Sequence, residues 1–171
     1  MNTDMDFSQV FSRLAEEQVD FVLIGGFAAV VLGVPYITQD IDICYNPDKV
    51  NIARIERALV PLHPRLRIEG LTDEEAHALP FQLDQRTLQQ TAILTLRTDV
   101  AELDLMITVP GVGNYTQVKD ASTEIEVFGT RLLVLDLPAL IASKQVAGRP
   151  KDLFILPQIE AALRLRDQED L

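Results

Sequence analysis

The 171-residue chain has one cysteine, Cys44, and two histidines, His63 and His77. A single cysteine forms no internal disulfide, and a thiolate or imidazole metal cage needs several such residues. A disulfide-stapled secreted scaffold is excluded, and zinc chemistry nearly so. Basic residues are outnumbered: 15 Lys and Arg stand against 26 Asp and Glu, for a net charge of −11. An acidic chain repels phosphate backbones at long range, so extended binding along DNA or RNA is not expected. A local basic pocket stays compatible with that charge, and so does a set of carboxylates gathered around a cation.

A long apolar run is also missing. The longest, Phe21 to Tyr36, falls short of the roughly 20 residues of a bilayer span, and Gly25, Gly26, Gly33 and Pro35 interrupt it. The opening Met1–Asp6 is acidic and lacks the basic start of a secretory signal. No membrane association is expected, and the chain reads as cytoplasmic. Hydrophobic residues reach 47% and charged residues 24%, which excludes intrinsic disorder. One domain of this length buries enough surface to fold without staples.

Strand and helix periods interleave along the chain. Asp6 to Glu17 carries apolar residues at helical spacing, Phe21–Ile24 reads as a buried strand, and Phe27 to Leu32 as a helix stopped by Gly33 and Pro35. Asp40 to Cys44 alternates strictly, as a strand does. Asp48 caps a helix that ends near Pro61. Arg65 to Ile68 has strand character, and Thr72 to Gln90 is polar and ambiguous. Thr91 to Leu96 and Ala101 to Ile107 read as paired strands, Pro110 to Asn114 as a loop, and Glu124 to Phe128 with Arg131 to Leu135 as a hairpin. Asp136 caps a helix ending before Gly148, and a last helix runs from Arg149–Asp152 to about Arg166. The fold class is mixed α/β, of the α+β kind.

Four features carry chemistry. Asp40 and Asp42, two apart on a strand, point to one face, with Ile41 and Ile43 on the other. Two carboxylates on one face repel each other, and neither has a basic neighbour in sequence, so something positive belongs between them. Oxygen ligands without His or Cys favour Mg²⁺ or Mn²⁺. Gly25-Gly26 sits where a strand turns into a helix, which lets backbone amides approach a phosphate; no Walker-type lysine follows. In Glu102-Leu-Asp104-Leu-Met106, Glu102 and Asp104 share a face, and Asp104 joins the cluster if its strand lies beside Asp40–Cys44. Finally, Ser143-Lys144 and Gly148-Arg149-Pro150-Lys151-Asp152 form a local positive patch, which suits a triphosphate or the basic end of a helix. Asp152 either caps the last helix or orients a basic neighbour.

Together these residues resemble the nucleotidyltransferase superfamily with the DNA polymerase β-type palm. That pattern is a glycine pair after a first strand, a D-x-D on the next, and a third carboxylate on a later strand. The closer resemblance is to small bacterial nucleotidyltransferase-like proteins, including those related to toxin–antitoxin and abortive-infection toxins. The stretches that carry it are Leu23–Ala28, Thr38–Asp42, Lys144 and Gly148–Asp152. One departure stands out: where many relatives place an arginine before the Thr-x-Asp segment, this chain has Tyr36-Ile37.

The resemblance implies a mixed central sheet with flanking helices, in one domain over residues 1–171, with a core at about 20–135 and C-terminal helices at about 136–166. It implies transfer of a nucleoside monophosphate from an NTP to an acceptor hydroxyl, with release of pyrophosphate. The acceptor is an RNA end, a protein or a small molecule, and a cognate antitoxin is a possible partner. The alternative is a non-catalytic relative that binds a nucleotide or a partner protein. Asp40 and Asp42 would hold two Mg²⁺ ions and Asp104 the catalytic one, with Asp104 also helping to activate the acceptor. Gly25, Gly26 and Thr38 would hold phosphates, and Lys144, Lys151 and Arg149 would offset triphosphate charge.

The remaining polar residues have plain expectations. Cys44 is a small buried side chain, His63 a surface turn residue and His77 part of a solvated helix face. Asp4, Asp6, Asp167, Glu169 and Asp170 are solubilising charge near the termini.

Overall fold

The computed structural model describes residues 5–170, so Asp4 lies outside the described residues. Helix α1 (Phe7–Glu16) leads into β1 (Phe21–Ile24), α2 (Gly25–Val31), β2 (Asp40–Tyr45) and α3 (Lys49–Leu59). After a 3₁₀ turn come β3 (Arg65–Leu66), α4 (Asp73–His77), α5 (Gln85–Gln90), β4 (Ile93–Arg97) and β5 (Glu102–Met106). The chain continues through β6 (Thr108–Val109), β7 (Gly113–Asn114), α6 (Tyr115–Asp120), β8 (Ser122–Val127) and β9 (Thr130–Leu135). It ends with α7 (Leu137–Ala147) and α8 (Pro150–Glu169).

Seven strands form one sheet in the order β3-β4-β5-β2-β1-β9-β8. The β1–β9 and β2–β5 pairs are parallel and the other four antiparallel, so the sheet is mixed, as the interleaved periods require. Helices α1 and α3 pack together, as do α7 and α8, and α2 lies against β1, β2 and α7.

Alternation on β2 and β5 sets the register that matters most. Ile41, Ile43, Leu103 and Leu105 are no more than 1% exposed. Burying each such side chain stabilises the fold by about 1.5–3 kcal/mol. A slip of one residue would send these four to the open face and the carboxylates into the core. Packing of the apolar face therefore dictates where the acids point.

Several boundaries differ from the sequence reading. Asp6 is more than terminal charge: its carboxylate accepts from Ser8 N at 3.1 Å and caps α1. Helix α2 starts at Gly25 itself, whose φ of 70° turns the strand into the helix. The ambiguous polar stretch holds two short helices, α4 closed by a Thr72–Glu75 capping box and α5 capped by Asp84. Pro110 to Val112 is the turn of a two-strand hairpin, β6–β7, whose second strand is Gly113–Asn114 rather than loop, and α6 follows it unforeseen, capped by Asn114. The expected caps at Asp48 and Asp136 are in place. No helix among the described residues is long and apolar enough to cross a membrane.

Candidate active site

The β2–β5 ladder pairs Asp42 with Asp104 and Asp40 with Glu102. Neighbouring strands lie about 4.8 Å apart, so the paired side chains are side by side on one face. One carboxylate oxygen each from Asp40, Asp42 and Asp104 falls within 4.8 Å of the others. The three acids separated in sequence thus converge as expected. Burial, then Asp40, then Asp104 push Asp42 up to about 7, against the weaker opposing pull of Lys144 and Lys151. Asp104 is raised as well, chiefly by burial, with Arg67 working the other way. An all-oxygen donor set in which anions crowd one another fits a hard divalent cation such as Mg²⁺ or Mn²⁺.

The glycine pair bounds the cluster on the β1 side. A Cβ on Gly25 would lie 2.1 Å from Asp42 Oδ2, so only glycine lets that carboxylate sit where it does. A Cβ on Gly26 would lie 3.0 Å from the Tyr36 ring and 3.2 Å from Thr38 Oγ1. Thr38 donates its hydroxyl to Asp40 Oδ1 at 3.1 Å, so it orients that carboxylate. No side chain caps α2, and both glycines line a cavity of about 410 Å³ shared with all three aspartates. Tyr36 lines it as well, whereas Ile37 is 89% exposed.

A basic wall of the same cavity comes from the α7–α8 corner. Gly148, with φ 61°, ends α7 and reverses the chain, bringing Lys144, Arg149 and Lys151 to the same cavity. Asp152, fully buried, accepts from Lys144 Nζ at 2.9 Å and from Arg149 Nε at 2.6 Å. Burial alone would raise Asp152; the bonds to Arg149 and Lys144 outweigh it and hold the carboxyl below its ordinary range. Of the two roles open to Asp152, orienting basic neighbours is the one seen, since α8 has no side-chain cap. Lys151 makes no ion pair among the described residues and is exposed at the cavity wall.

One residue of the site went unrecognised in the sequence. Arg67, just past β3, donates from Nη2 to Asp104 Oδ1 at 2.5 Å and from Nη1 to Glu102 Oε2 at 2.6 Å, and lies 3.5 Å from Asp40 Oδ2. A positive group beside the cluster is thus supplied from a segment distant in sequence, though none of its bonds reaches Asp42. Its hint was the Arg65-Leu66-Arg67 alternation, but nothing local said that β3 would pair with β4. Glu102 accepts a second arginine, Arg97, at 2.7 Å. Outside the site, Arg131 pairs with Glu124 on the β8–β9 hairpin and takes no part in the basic wall. Cys44 is buried, and His77 is exposed on α4. His63 is exposed in a left-handed turn, its Nδ1 2.6 Å from Asp99.

No family model and no curated protein sequence matches the chain. Solved structures do. The lincosamide antibiotic adenylyltransferase LnuA, in its lincomycin-bound form, is 15% identical with a TM-score of 0.60, over 93% of this chain and 99% of that one. ANT(2")-Ia, in complex with adenylyl-2"-tobramycin, is 14% identical with a TM-score of 0.59, over 95% of this chain and 90% of that one. The candidate nucleotidyltransferase TM1012 of Thermotoga maritima is 19% identical with a TM-score of 0.50, over 96% and 90%. At such identities the likeness is one of fold, and it spans nearly the whole length of each chain. The mixed seven-stranded sheet described here is the nucleotidyltransferase fold.

Proposed function

We propose that the protein is a nucleotidyltransferase that moves a nucleoside monophosphate from an NTP to a hydroxyl of a small molecule. The observation that carries this reading is the convergence of Asp40, Asp42 and Asp104 in one cavity that Gly25, Gly26, Lys144, Arg149 and Lys151 also line. The cavity, about 410 Å³, is of the size that encloses a small molecule. Two proteins of the same fold carry antibiotics in their structures, lincomycin in one and adenylyl-tobramycin in the other.

The acceptor oxygen forms a bond to the α-phosphorus as the bond to the bridging oxygen of pyrophosphate breaks. Asp104 takes the proton of the attacking hydroxyl. Lys144, Arg149 and Lys151 offset the charge that builds on the departing pyrophosphate, and Asp152 keeps the first two aimed. The Gly25 and Gly26 amides hold phosphate oxygens, while Thr38 fixes the rotamer of Asp40. Asp40, Asp42 and Asp104 would hold magnesium or manganese, which would supply neutralisation of the negative charge that builds up during the transfer.

The test is incubation with each α-labelled NTP, Mg²⁺, a panel of hydroxylated small molecules including lincomycin and tobramycin, and a cell extract. A labelled small molecule is expected, and Asp42→Ala should abolish it. Label on RNA or protein would move the acceptor to the macromolecular class expected of a toxin. Nucleotide binding without transfer would favour the non-catalytic binding module. Label that survives Asp40→Ala with Asp42→Ala would overturn the assignment.

A further inference from the structure

Arg67 occupies the carboxylate cluster from the side away from the glycines, on the far side of β5 from β2. Its backbone is fixed in place: Arg67 N donates to Thr95 O at 3.0 Å, and Thr95 Oγ1 donates back to Arg67 O at 3.0 Å. Its side chain is three-quarters covered, at 24% exposure, and the guanidinium bridges two acids with different duties. Asp104 belongs to the triad whose oxygens converge. Glu102 does not; it is anchored from behind by Arg97, which in turn lies 3.6 Å from Asp73. Arg67 therefore has one partner that a divalent cation would also claim and one that it would not.

We infer that Arg67 is the resident counter-ion of the cluster, competing with the divalent cation for Asp104 and held in reserve by Glu102, so that the nucleotide-free protein binds its cation weakly. This rests on the reading of Asp40, Asp42 and Asp104 as cation ligands. The physical basis is that a carboxylate whose charge is already offset by a short charge-assisted hydrogen bond is a weaker ligand for a second cation. The fork geometry of arginine matters, because a lysine at this position reaches one carboxylate at a time. An incoming triphosphate carries its own negative charge and its own cation, which tips the competition away from Asp104 and leaves Arg67 on Glu102.

The test is a Mn²⁺ titration of the full chain without nucleotide, following free Mn²⁺ by electron paramagnetic resonance, with circular dichroism to check the fold. Losing a charge-assisted hydrogen bond is worth about tenfold or more in affinity. Arg67→Gln is therefore expected to bind Mn²⁺ about tenfold or more tightly than the wild type. Glu102→Gln should bind it more weakly, because Arg67 then has only Asp104 and Asp40 to hold. A purely structural role would shift both variants the same way. Should Arg67→Gln not fold, Arg67→Lys keeps the charge without the fork and is expected to fall between wild type and a full release. Wild-type Mn²⁺ binding with Arg67→Gln or Arg67→Lys unchanged or weaker overturns the competition and leaves the cation site standing. No Mn²⁺ binding by any variant, with or without a non-hydrolysable NTP analogue, overturns both.

Discussion

The Asp42 carboxylate packs directly on the Cα face of Gly25, so close that a methyl group there would lie 2.1 Å from Oδ2. The glycine also has φ 70°, a left-handed value that costs an L-residue roughly 1–2 kcal/mol. Two separate demands, backbone and space, thus fall on one position. Gly25→Ala is expected to displace Asp42 by about an ångström. Misplacing a reacting group by that much costs about a hundredfold in rate. The expected result is a fall in NMP transfer of about that size with only a small drop in melting temperature. A Gly26→Ala control, where the nearest neighbour is a ring edge at 3.0 Å, should be milder.

Asp152 is a fully buried charge held by two cations. Removing one member of a buried pair leaves an uncompensated charge and costs about 3–5 kcal/mol. Asp152→Ala should therefore lose stability on that scale in urea unfolding. Lys144→Ala should lose less, because Arg149 still serves both Asp152 oxygens. Both variants should weaken NTP binding, and Lys151→Ala should do so without any cost in stability.

Legibility in the sequence followed the range of the interaction. Strands β1 and β2, helix α7 and the caps at Asp48 and Asp136 were readable because alternation, Gly148 and short-range capping act within a few residues. The β8–β9 turn was marked by its glycine but falls at Phe128-Gly129, with φ of 50° and 74°, so Phe128 lies outside the strand in which the sequence placed it. Helix α6 was hidden because its apolar anchors, Tyr115 and Val118, are only two, and its start depends on the Asn114–Gln117 capping box. Within the site, parity gave the face of each aspartate. The pairing of β2 with β5 could be inferred only from the family pattern, since parallel neighbours share no turn. Arg67 was beyond reach for the same reason: it meets Asp104 across 37 residues and through an edge strand of two residues.

Cys44 points into the core from β2, fully buried, and burial pushes its thiol up to about 12. Thiolate is the reactive form, so the native protein should be inert to thiol reagents at pH 8. Labelling is expected only as urea unfolds the chain, with a midpoint matching that of circular dichroism. Fast labelling of the native state would mean that β2, the strand bearing Asp40 and Asp42, opens locally.

Asp42 gives the stability of the metal-free protein a distinctive dependence on pH. Burial beside Asp40 and Asp104 lifts it from an ordinary 3.8 to about 7 in the folded chain. Between those values the folded chain holds a proton that the unfolded chain has released, so stability falls as pH rises across that window. Lowered carboxyls, Glu102, Asp73, Asp99 and Asp152 among them, act in the opposite sense and lose their contribution as pH falls, but they do so in variant and wild type alike. The difference in melting temperature between wild type and Asp42→Asn, measured in chelator, isolates Asp42 together with its interaction with Asp104. It should decline for the wild type from about pH 4 to about pH 7 and level off above. Added Mg²⁺ should reverse the slope, because ligation needs the ionised carboxylates and so strengthens as they deprotonate. A wild type that gains on Asp42→Asn with rising pH in chelator would show that the cluster carries less mutual repulsion than its geometry implies, with Arg67 neutralising it more fully than its bonds to Asp104 and Glu102 suggest.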